Sequence, residues 1–278
     1  MKPISKTAYF CCGARMEDAQ SDNPVCGDMF AESFMDKEAM EVFGRFSQFK
    51  NAKISNATRH RIIDDLIREE LNKNPQTTII IIGSGFDTRA FRLDGGTWVE
   101  IDEPGPIEYK NTCLDASMCK NPLHRIPCDF STDSLGAKLS PFKNGSPVII
   151  IIEGVFIYLT EQQVLGLLDT IQVQFPSHTL ICDLQTVSFF KKFNTKFQKV
   201  LQEFGASLNI TSDTPEQKFL GHGYSIKQRI SILDKTIEYA KLNFRQTLTK
   251  FALNTVFRKI KDGYSIYVFK FSRGTGQM

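Results

Sequence analysis

The sequence lacks the cysteine patterns that mark metal centres and disulfide frameworks. Its seven cysteines are an odd number, and they include no CxxC pair and no Cys and His residues at metal-ligand spacing. Such a set is typical of reduced thiols in a cytosolic protein, where several of them are buried as small apolar side chains. The sequence therefore predicts a cytoplasmic protein that holds no metal.

Long apolar segments are missing as well. Residues 1–12 contain no continuous apolar stretch of the kind that a secretory signal requires. The longest apolar run, residues 148–159, is interrupted by Glu153 and is much shorter than a helix that spans a bilayer. We expect neither a signal peptide nor a membrane segment.

The chain has little net charge, because 34 Lys and Arg stand against 31 Asp and Glu, which leaves +3. A balance this close predicts no general attraction to nucleic acid. The charge is unevenly spread, however, since residues 188–261 hold 14 basic against 5 acidic side chains. This bias fits either a face for an acidic substrate or partner, or a solvated helical surface rich in lysine, which is the commoner case.

Motifs of several other enzyme classes are absent too, namely Walker A, GxSxG and HExxH, and there are no internal repeats. What remains is a chain of 278 residues, of which 41% are hydrophobic and 23 are phenylalanine, enough for a sizeable core. We predict a single α/β domain over residues 1–278. Within it, residues 1–50 are expected to form a helical arm, and residues 186–243 a helical lid.

One stretch organises the chain. Residues 77–82 are a β-branched run of strand length, and Gly83-Ser84-Gly85 follows directly. Glycines at this place let the chain turn tightly and bring its backbone close to a ligand. A short helix at 87–93 and a second strand at 98–101 are expected next, and that strand ends at Asp102.

Strand, glycine turn, helix, strand and acid form the nucleotide-binding half of a Rossmann-like sheet, in which Asp102 accepts hydrogen bonds from ribose hydroxyl groups. The dinucleotide fingerprint requires a third glycine at position 88, and this chain has Thr88. Asp87 at the helix start also disfavours a pyrophosphate. S-adenosylmethionine, which carries positive charge and no phosphate, fits better. An NAD(P)-dependent oxidoreductase and a catalytically silent binding protein with the same fold remain the alternatives.

Two further predicted strands end in acids. The strand at 123–127 precedes Asp129 and Phe130, which suit the exocyclic amine and the ring of an adenine, although Asp129 alone fits a helix or turn cap equally well. The aliphatic strand at 147–152 precedes Glu153. A carboxylate at the tip of a buried strand usually faces the crevice where ligands bind.

The remaining elements are predicted from periodicity. Helices are expected at 56–71 and 226–241, and strands at 178–183, 244–251 and 263–271. Gly205 to Tyr224 is expected to be a long loop that carries His222.

Residues 82–93, IGSGFDTRAFRL, closely resemble the G-x-G-x-D-T-R-x-x-R-L motif of the leucine carboxyl methyltransferase family. That family includes protein phosphatase carboxyl methyltransferases and polyketide O-methyltransferases of the tetracenomycin type. The resemblance spans roughly residues 5 to 185, and its further motifs occur in the same order: Arg59-His-Arg-Ile-Ile-Asp-Asp65, Val99-Glu-Ile-Asp102, Pro127-Cys-Asp129, Ile152-Glu-Gly154 and Tyr158-Leu159.

The resemblance implies a class I methyltransferase fold: a Rossmann-like, mostly parallel sheet of seven strands with helices on both faces, a helical N-terminal arm and a lid insertion. It also implies a binding role in the S-adenosylmethionine site for seven residues. These are Arg59 at the methionine carboxylate, Gly83 and Gly85 along the methionine tail, Asp102 at the ribose, Asp129 and Phe130 at the adenine, and Glu153 near the sulfonium.

The implied activity is O-methylation of a carboxylate or hydroxyl group on a small molecule or peptide, which leaves S-adenosylhomocysteine. A carboxylate acceptor is already ionised at neutral pH and needs no catalytic base, whereas a phenol would need one. Tyr158 and His222 are the only candidates for that base. The basic bias of residues 188–261 leans towards an anionic acceptor.

Overall fold

A computed structural model describes residues 3–46, 48–193, 195–239 and 261–273 of the chain. Its seven strands form one sheet in the order β3-β2-β1-β4-β5-β7-β6. The first five strands pair in parallel, and β7 runs antiparallel to both β5 and β6. The strands are β1 (Thr78–Ile82), β2 (Thr97–Asp102), β3 (Leu123–Pro127), β4 (Val148–Ile152), β5 (Ser177–Gln185), β6 (Ser225–Ser231) and β7 (Tyr264–Ser272).

Helices cover both faces of the sheet. Their bounds are α1 (Thr7–Ala19), α2 (Lys37–Gly44), α3 (Lys50–Lys73), α4 (Arg89–Arg92), α5 (Pro104–Cys113), α6 (Leu135–Leu139), α7 (Glu161–Gln174), α8 (Val187–Phe193), α9 (Thr195–Glu203), α10 (Gln217–Leu220) and α11 (Ile232–Tyr239). In the described part of the chain, no helix combines the length and the apolar character needed to cross a membrane.

The alternation of side chains along the strands divides the core in two. In β1, Ile80 and Ile82 belong to one cluster with α7, whereas Ile79 and Ile81 belong to another with α3 and α11. Both faces of the central strands are therefore buried, which explains why β1 and β4 read as continuous aliphatic runs. The α/β fold class and the seven-stranded sheet predicted from the sequence are confirmed.

The predicted helix at 226–241 is wrong in its first half. Residues 225–231 form β6, an edge strand paired with β7, and the helix begins only at Ile232. The first five residues of β6 are exposed, so they show no alternation that would mark a strand. The predicted loop at 205–224 contains the short helix α10. The strand predicted at 244–251 lies outside the described residues.

The sheet order reverses at β1, which has β2 on one side and β4 on the other. In parallel sheets this switch point opens a crevice at the carboxyl ends of the strands, where ligands bind. The segments that follow β1, β2 and β4 therefore converge on one place. The loop after β1, Asp102 and Glu153 occupy these three positions.

Candidate active site

The glycine loop leaves β1 with φ angles of +72° at Gly83 and +46° at Gly85. Side chains rarely adopt this left-handed region, so glycine is favoured at both positions. A Cβ atom at residue 83 would lie 2.4 Å from Cγ2 of Val155, whereas at residue 85 it would meet only Cβ of Ala8, at 3.4 Å. Gly83 therefore serves close packing, and α1 covers the loop at Gly85.

Asp102 is turned towards the glycine loop. The amide of Gly85 donates to its Oδ2 at 2.6 Å, and the amide of Glu103 donates to its Oδ1 at 2.7 Å. Asp102 is 9% exposed, and its burial raises the pKa of its carboxyl group. Asp102 thus joins the ends of β1 and β2 and lines the crevice between them.

Glu153, at the end of β4, lies between two buried arginines. Nε of Arg59 donates to its Oε1 and Nη2 of Arg89 to its Oε2, both at 2.8 Å. Burial opposes ionisation, but these two guanidinium groups hold the pKa of Glu153 well below its usual range. The predicted crevice carboxylate is therefore ionised and fully engaged with cations of the protein.

Arg59 also bonds side chains of β5 and β7. Its Nη1 donates to Oδ2 of Asp183 at 3.1 Å and to the hydroxyl of Tyr264 at 2.8 Å. Its Nη2 faces the thiol of Cys11, 3.8 Å away. Arg59 is buried and lines the cavity, and its Nη2 also donates to the side-chain oxygen of Asn56 at 3.2 Å when that amide is oriented to satisfy both of its polar atoms.

Arg89 occupies the centre of a larger ionic network. It bonds Asp64 at 2.7 Å as well as Glu153, and it also pairs with Asp87 at the start of the helix. The network's side chains are each at most 10% exposed. It contains four arginines (15, 59, 89 and 92) and five carboxylates (Asp28, Asp64, Asp87, Glu153 and Asp183).

This network carries a net charge of −1 when His60 is neutral. The imidazole is held between Nη2 of Arg89 at 2.7 Å and Nη2 of Arg92 at 2.6 Å. Burial and the Arg89 charge lower the pKa of His60, so the neutral form is favoured. Arg68, which is 43% exposed, lies with its Nη2 3.9 Å from Oδ2 of Asp64 and supplies the remaining positive charge, so the protein itself balances the network.

His60, Asp87 and Glu153 bring potential metal-ligand atoms within 4.8 Å of one another. The Arg89 guanidinium contacts all three side chains. A cation at this place would have to displace the arginine, so these residues serve the ion network.

A cavity of about 1540 Å³ opens in front of the strand ends. Small-molecule sites usually measure about 300–1,000 Å³, so this cavity has room for two ligands side by side. The loop 83–85, Asp102 and Glu153 line it together with the ionic network behind them, and we call this part the strand end. Five phenylalanines also line the cavity, and we call them the aromatic wall: Phe10, Phe49, Phe189, Phe193 and Phe197.

Asp129 and Phe130 behave differently from each other. Phe130 lines the cavity and is 43% exposed, as an adenine platform requires. Asp129 accepts from the amide of Ser131 at 3.0 Å, which is the geometry of a turn cap, and it is not among the described cavity-lining residues. The turn-cap reading of Asp129 is thus the one that its contacts favour.

The two candidate bases also separate. Tyr158 lines the cavity, and burial raises its pKa to about 12. His222 is not among the described cavity-lining residues. Its Nε2 contacts Oδ1 of Asp169 at 2.8 Å. No sequence pattern indicates this acidic partner, because 53 residues separate the two side chains.

The model of the leucine carboxyl methyltransferase family matches residues 8–172, which include the glycine loop, Asp102 and Glu153. The chain belongs to the leucine carboxyl methyltransferase family. The S-adenosyl-L-methionine-dependent methyltransferase dpfgK of Gibberella zeae is 25% identical over 272 residues, which cover 91% of this chain and 88% of that protein.

Other relatives match over a shorter span. Proteins of Streptomyces coelicolor and Mycobacterium marinum are 25% and 30% identical over 194 and 190 residues, about three fifths of this chain and of their own length. Among solved structures, a DUF574 family protein from Streptomyces avermitilis superposes with a TM-score of 0.59 at 12% identity, covering 92% of this chain and 99% of that one. Magnesium protoporphyrin IX methyltransferase from Synechocystis, solved with S-adenosylhomocysteine, gives 0.50 at 11% identity, covering 86% and 97%. Both share the fold.

This leucine carboxyl methyltransferase family member is an S-adenosylmethionine-dependent methyltransferase. Six of the seven residues that the sequence predicted for the donor site line the same cavity, namely Arg59, Gly83, Gly85, Asp102, Phe130 and Glu153.

Sequence reasoning missed several members of this site. Asp183 and Tyr264 lie on β5 and β7 and reach Arg59 from 124 and 205 residues away. No local pattern marks them. His60 and Asp64 could have been found, because they lie one turn apart on α3 and both are buried beside Arg59 and the glycine loop.

Proposed function

We propose that the protein is an O-methyltransferase whose acceptor is a carboxylate carried on a largely apolar molecule. The observation that supports this is the composition of the aromatic wall and its surroundings. Among the described cavity residues in segments 48–55 and 185–261, which supply four of the five wall phenylalanines, none is Asp, Glu, His or Cys, whereas Cys11 lines the cavity next to the fifth, Phe10. An acceptor that brings its own ionised oxygen needs no base from these residues.

Tyr158, one of the two candidate bases, does not change this conclusion. Tyr158 keeps its proton at neutral pH, since burial raises its pKa to about 12. It can donate a hydrogen bond to an acceptor, but it cannot remove a proton. His222 is not among the described cavity-lining residues, and its Nε2 contacts Asp169, which is.

The charged groups near the wall favour an anion. Lys50 and Lys261 are the charged side chains that the described segments 48–55 and 185–261 contribute to the cavity. Lys261 is paired with Asp234 at 2.8 Å, and Lys50 begins α3 at the cavity rim. Phenylalanine rings would bury the apolar body of the acceptor and exclude water around its carboxylate.

S-adenosylmethionine supplies an electrophilic methyl group, which the acceptor oxygen takes as the carbon–sulfur bond breaks and S-adenosylhomocysteine is left. The protein's part is to align the two molecules and to keep water away. The ionic network holds the residues of the strand end in place, and the phenylalanines of the aromatic wall exclude water.

The test compares acceptors that differ only in the reacting group. Aromatic carboxylic acids and the phenols of the same ring systems are incubated with the enzyme, and S-adenosylhomocysteine is quantified between pH 6 and 9. Only the acids should react, at a rate that is flat with pH, because neither they nor Tyr158 titrate in that range.

The control variant is Tyr158→Phe. It should retain activity within about threefold, because loss of one hydrogen bond is modest compared with loss of a base. Turnover of phenols at a rate that rises with pH, and is abolished by Tyr158→Phe, would contradict the proposal.

A further inference from the structure

Ser84 lies between the two glycines of the loop after β1. It is 6% exposed, it lines the cavity, and its hydroxyl oxygen has no hydrogen-bond partner among the described residues. We infer that this hydroxyl is a direct binding contact for S-adenosylmethionine. A buried hydroxyl without a partner is unfavourable, and a ligand that supplies one relieves that cost.

The backbone of Ser84 is already engaged, which leaves the hydroxyl as its remaining polar group. Its amide donates to the carbonyl of Ile101 at 3.1 Å, and its carbonyl accepts from the amide of Asp87 at 2.9 Å. The neighbouring amides of Gly83 and Gly85 bond Ile101 and Asp102. The loop is thus rigidly held, and the hydroxyl is preorganised for a ligand.

The position of Ser84 also fits the chemistry of the donor. Asp102 lies on one side, at the end of β2, and the Arg59–Glu153 pair lies on the other, at the end of β4. The donor offers acceptors and donors for a hydroxyl in both directions: the ribose hydroxyls, the ammonium and the carboxylate. A hydroxyl can serve any of them, because it both donates and accepts.

Thr78 provides a matched control at the opposite end of the same strand. Its hydroxyl is also buried and unpartnered, but Thr78 is fully buried and is not among the described cavity residues. Loss of its hydroxyl therefore removes the same kind of orphan group without touching a ligand.

The experiment is calorimetric titration of S-adenosylhomocysteine into the wild-type protein, Ser84→Ala and Thr78→Val. Ser84→Ala should weaken binding about 5- to 10-fold, and Thr78→Val should leave it within twofold. Affinity for 5′-methylthioadenosine, which lacks the amino-acid tail, then locates the bond. If Ser84→Ala weakens only S-adenosylhomocysteine, the contact is to the tail, and if it weakens both ligands, the contact is to the adenosine.

Thermal melting without ligand separates binding from structure. Since the hydroxyl has no partner in the described protein, Ser84→Ala should melt at or above the wild-type temperature. The rise in melting temperature on adding S-adenosylhomocysteine should be smaller than for the wild type.

Unchanged affinity in Ser84→Ala, or equal losses in Ser84→Ala and Thr78→Val, would overturn the inference. A lower melting temperature without ligand, together with unchanged affinity, would show a structural role only. The experiment uses no acceptor, so its outcome is independent of whether carboxylates are methylated.

Discussion

The strand end and the aromatic wall face the same cavity but are built on different physical principles. At the strand end, buried charges meet at 2.6–3.4 Å, and each depends on the identity of its partner. At the wall, Phe197 packs on Phe10, Phe46 and Phe49 with ring centroids 5.0–5.4 Å apart. These contacts require size and shape, and they have little directional preference.

The difference explains why the donor is recognisable and the acceptor is not. A guanidinium that must bond particular carboxylates fixes residue types at fixed places, which leaves a motif in the sequence. An apolar wall tolerates many substitutions between side chains of similar volume. Its specificity therefore depends on its shape and leaves no sequence motif. The three predictions below test this contrast, beginning with the largest effect.

Removal of Arg89 should break the strand end. Arg89→Met leaves Asp64, Asp87 and Glu153 short of their shared cation, and the expected loss in free energy of unfolding is about 3–5 kcal/mol. Urea denaturation measures this loss.

The control is Arg45→Met, directly after α2, whose side chain is 60% exposed and pairs with the exposed Glu203. It should cost less than about 1 kcal/mol. Equal losses in the two variants would show that burial of the network does not matter.

Acid should act first on the buried imidazoles of His178 and His60, because burial lowers the pKa of both, and only later on the network carboxylates. Burial lowers the pKa of His178 to about 4, from 6.5, while Arg15 and Arg92 hold that of Asp28 at about 2 in spite of its burial. The neutral imidazole bonds Tyr224 and lies 2.7 Å from the carbonyl of Phe175. Its contribution is complete above pH 6.5 and is lost as the pH falls to about 4, whereas that of Asp28 is lost only below about 3.8.

Denaturation measured from pH 7 to pH 4 should therefore show a decline of up to about 3 kcal/mol in the wild type. In His178→Gln this decline should be clearly smaller, and His60, whose pKa is also lowered, accounts for part of what remains. If the variant keeps the full decline, His178 does not titrate in this window.

Truncation at the aromatic wall should have the smallest effect. Phe197→Ala removes a half-buried ring, with an expected cost of about 1–2 kcal/mol and no change in affinity for S-adenosylhomocysteine. Phe193→Ala, whose ring is 49% exposed, is the control and should cost less. A tenfold loss of affinity in Phe197→Ala would mean that the wall also holds the donor.

Most positions of the strand end could be predicted from the sequence. The positions of the glycine loop, Asp102 and Glu153 follow from strands that end in turns and acids, because parallel strands bring such ends together. Their ligand roles stay predictions. The engagement of Glu153 by two arginines could not be foreseen, since Arg59 and Arg89 lie on different segments, 94 and 64 residues away.

The misread segment shows the opposite limit. Ser225–Ser231 is a strand because β7 offers it a partner, and not because its own sequence alternates. A bulge between Ile226 and Gln228 disturbs the pattern further. Local periodicity is informative where one face is buried, and most of this edge strand is exposed.

The contact between Arg59 and Tyr264 makes the strand end depend on the order in which the chain is synthesised. A ribosome releases Arg59 long before Tyr264, 205 residues later, and β7 must pair with β5 before that hydroxyl reaches the guanidinium. A nascent or truncated chain that lacks β7 therefore leaves the bond between Arg59 and Tyr264 unmade, so the contacts of Arg59 are complete only after β7 has been synthesised.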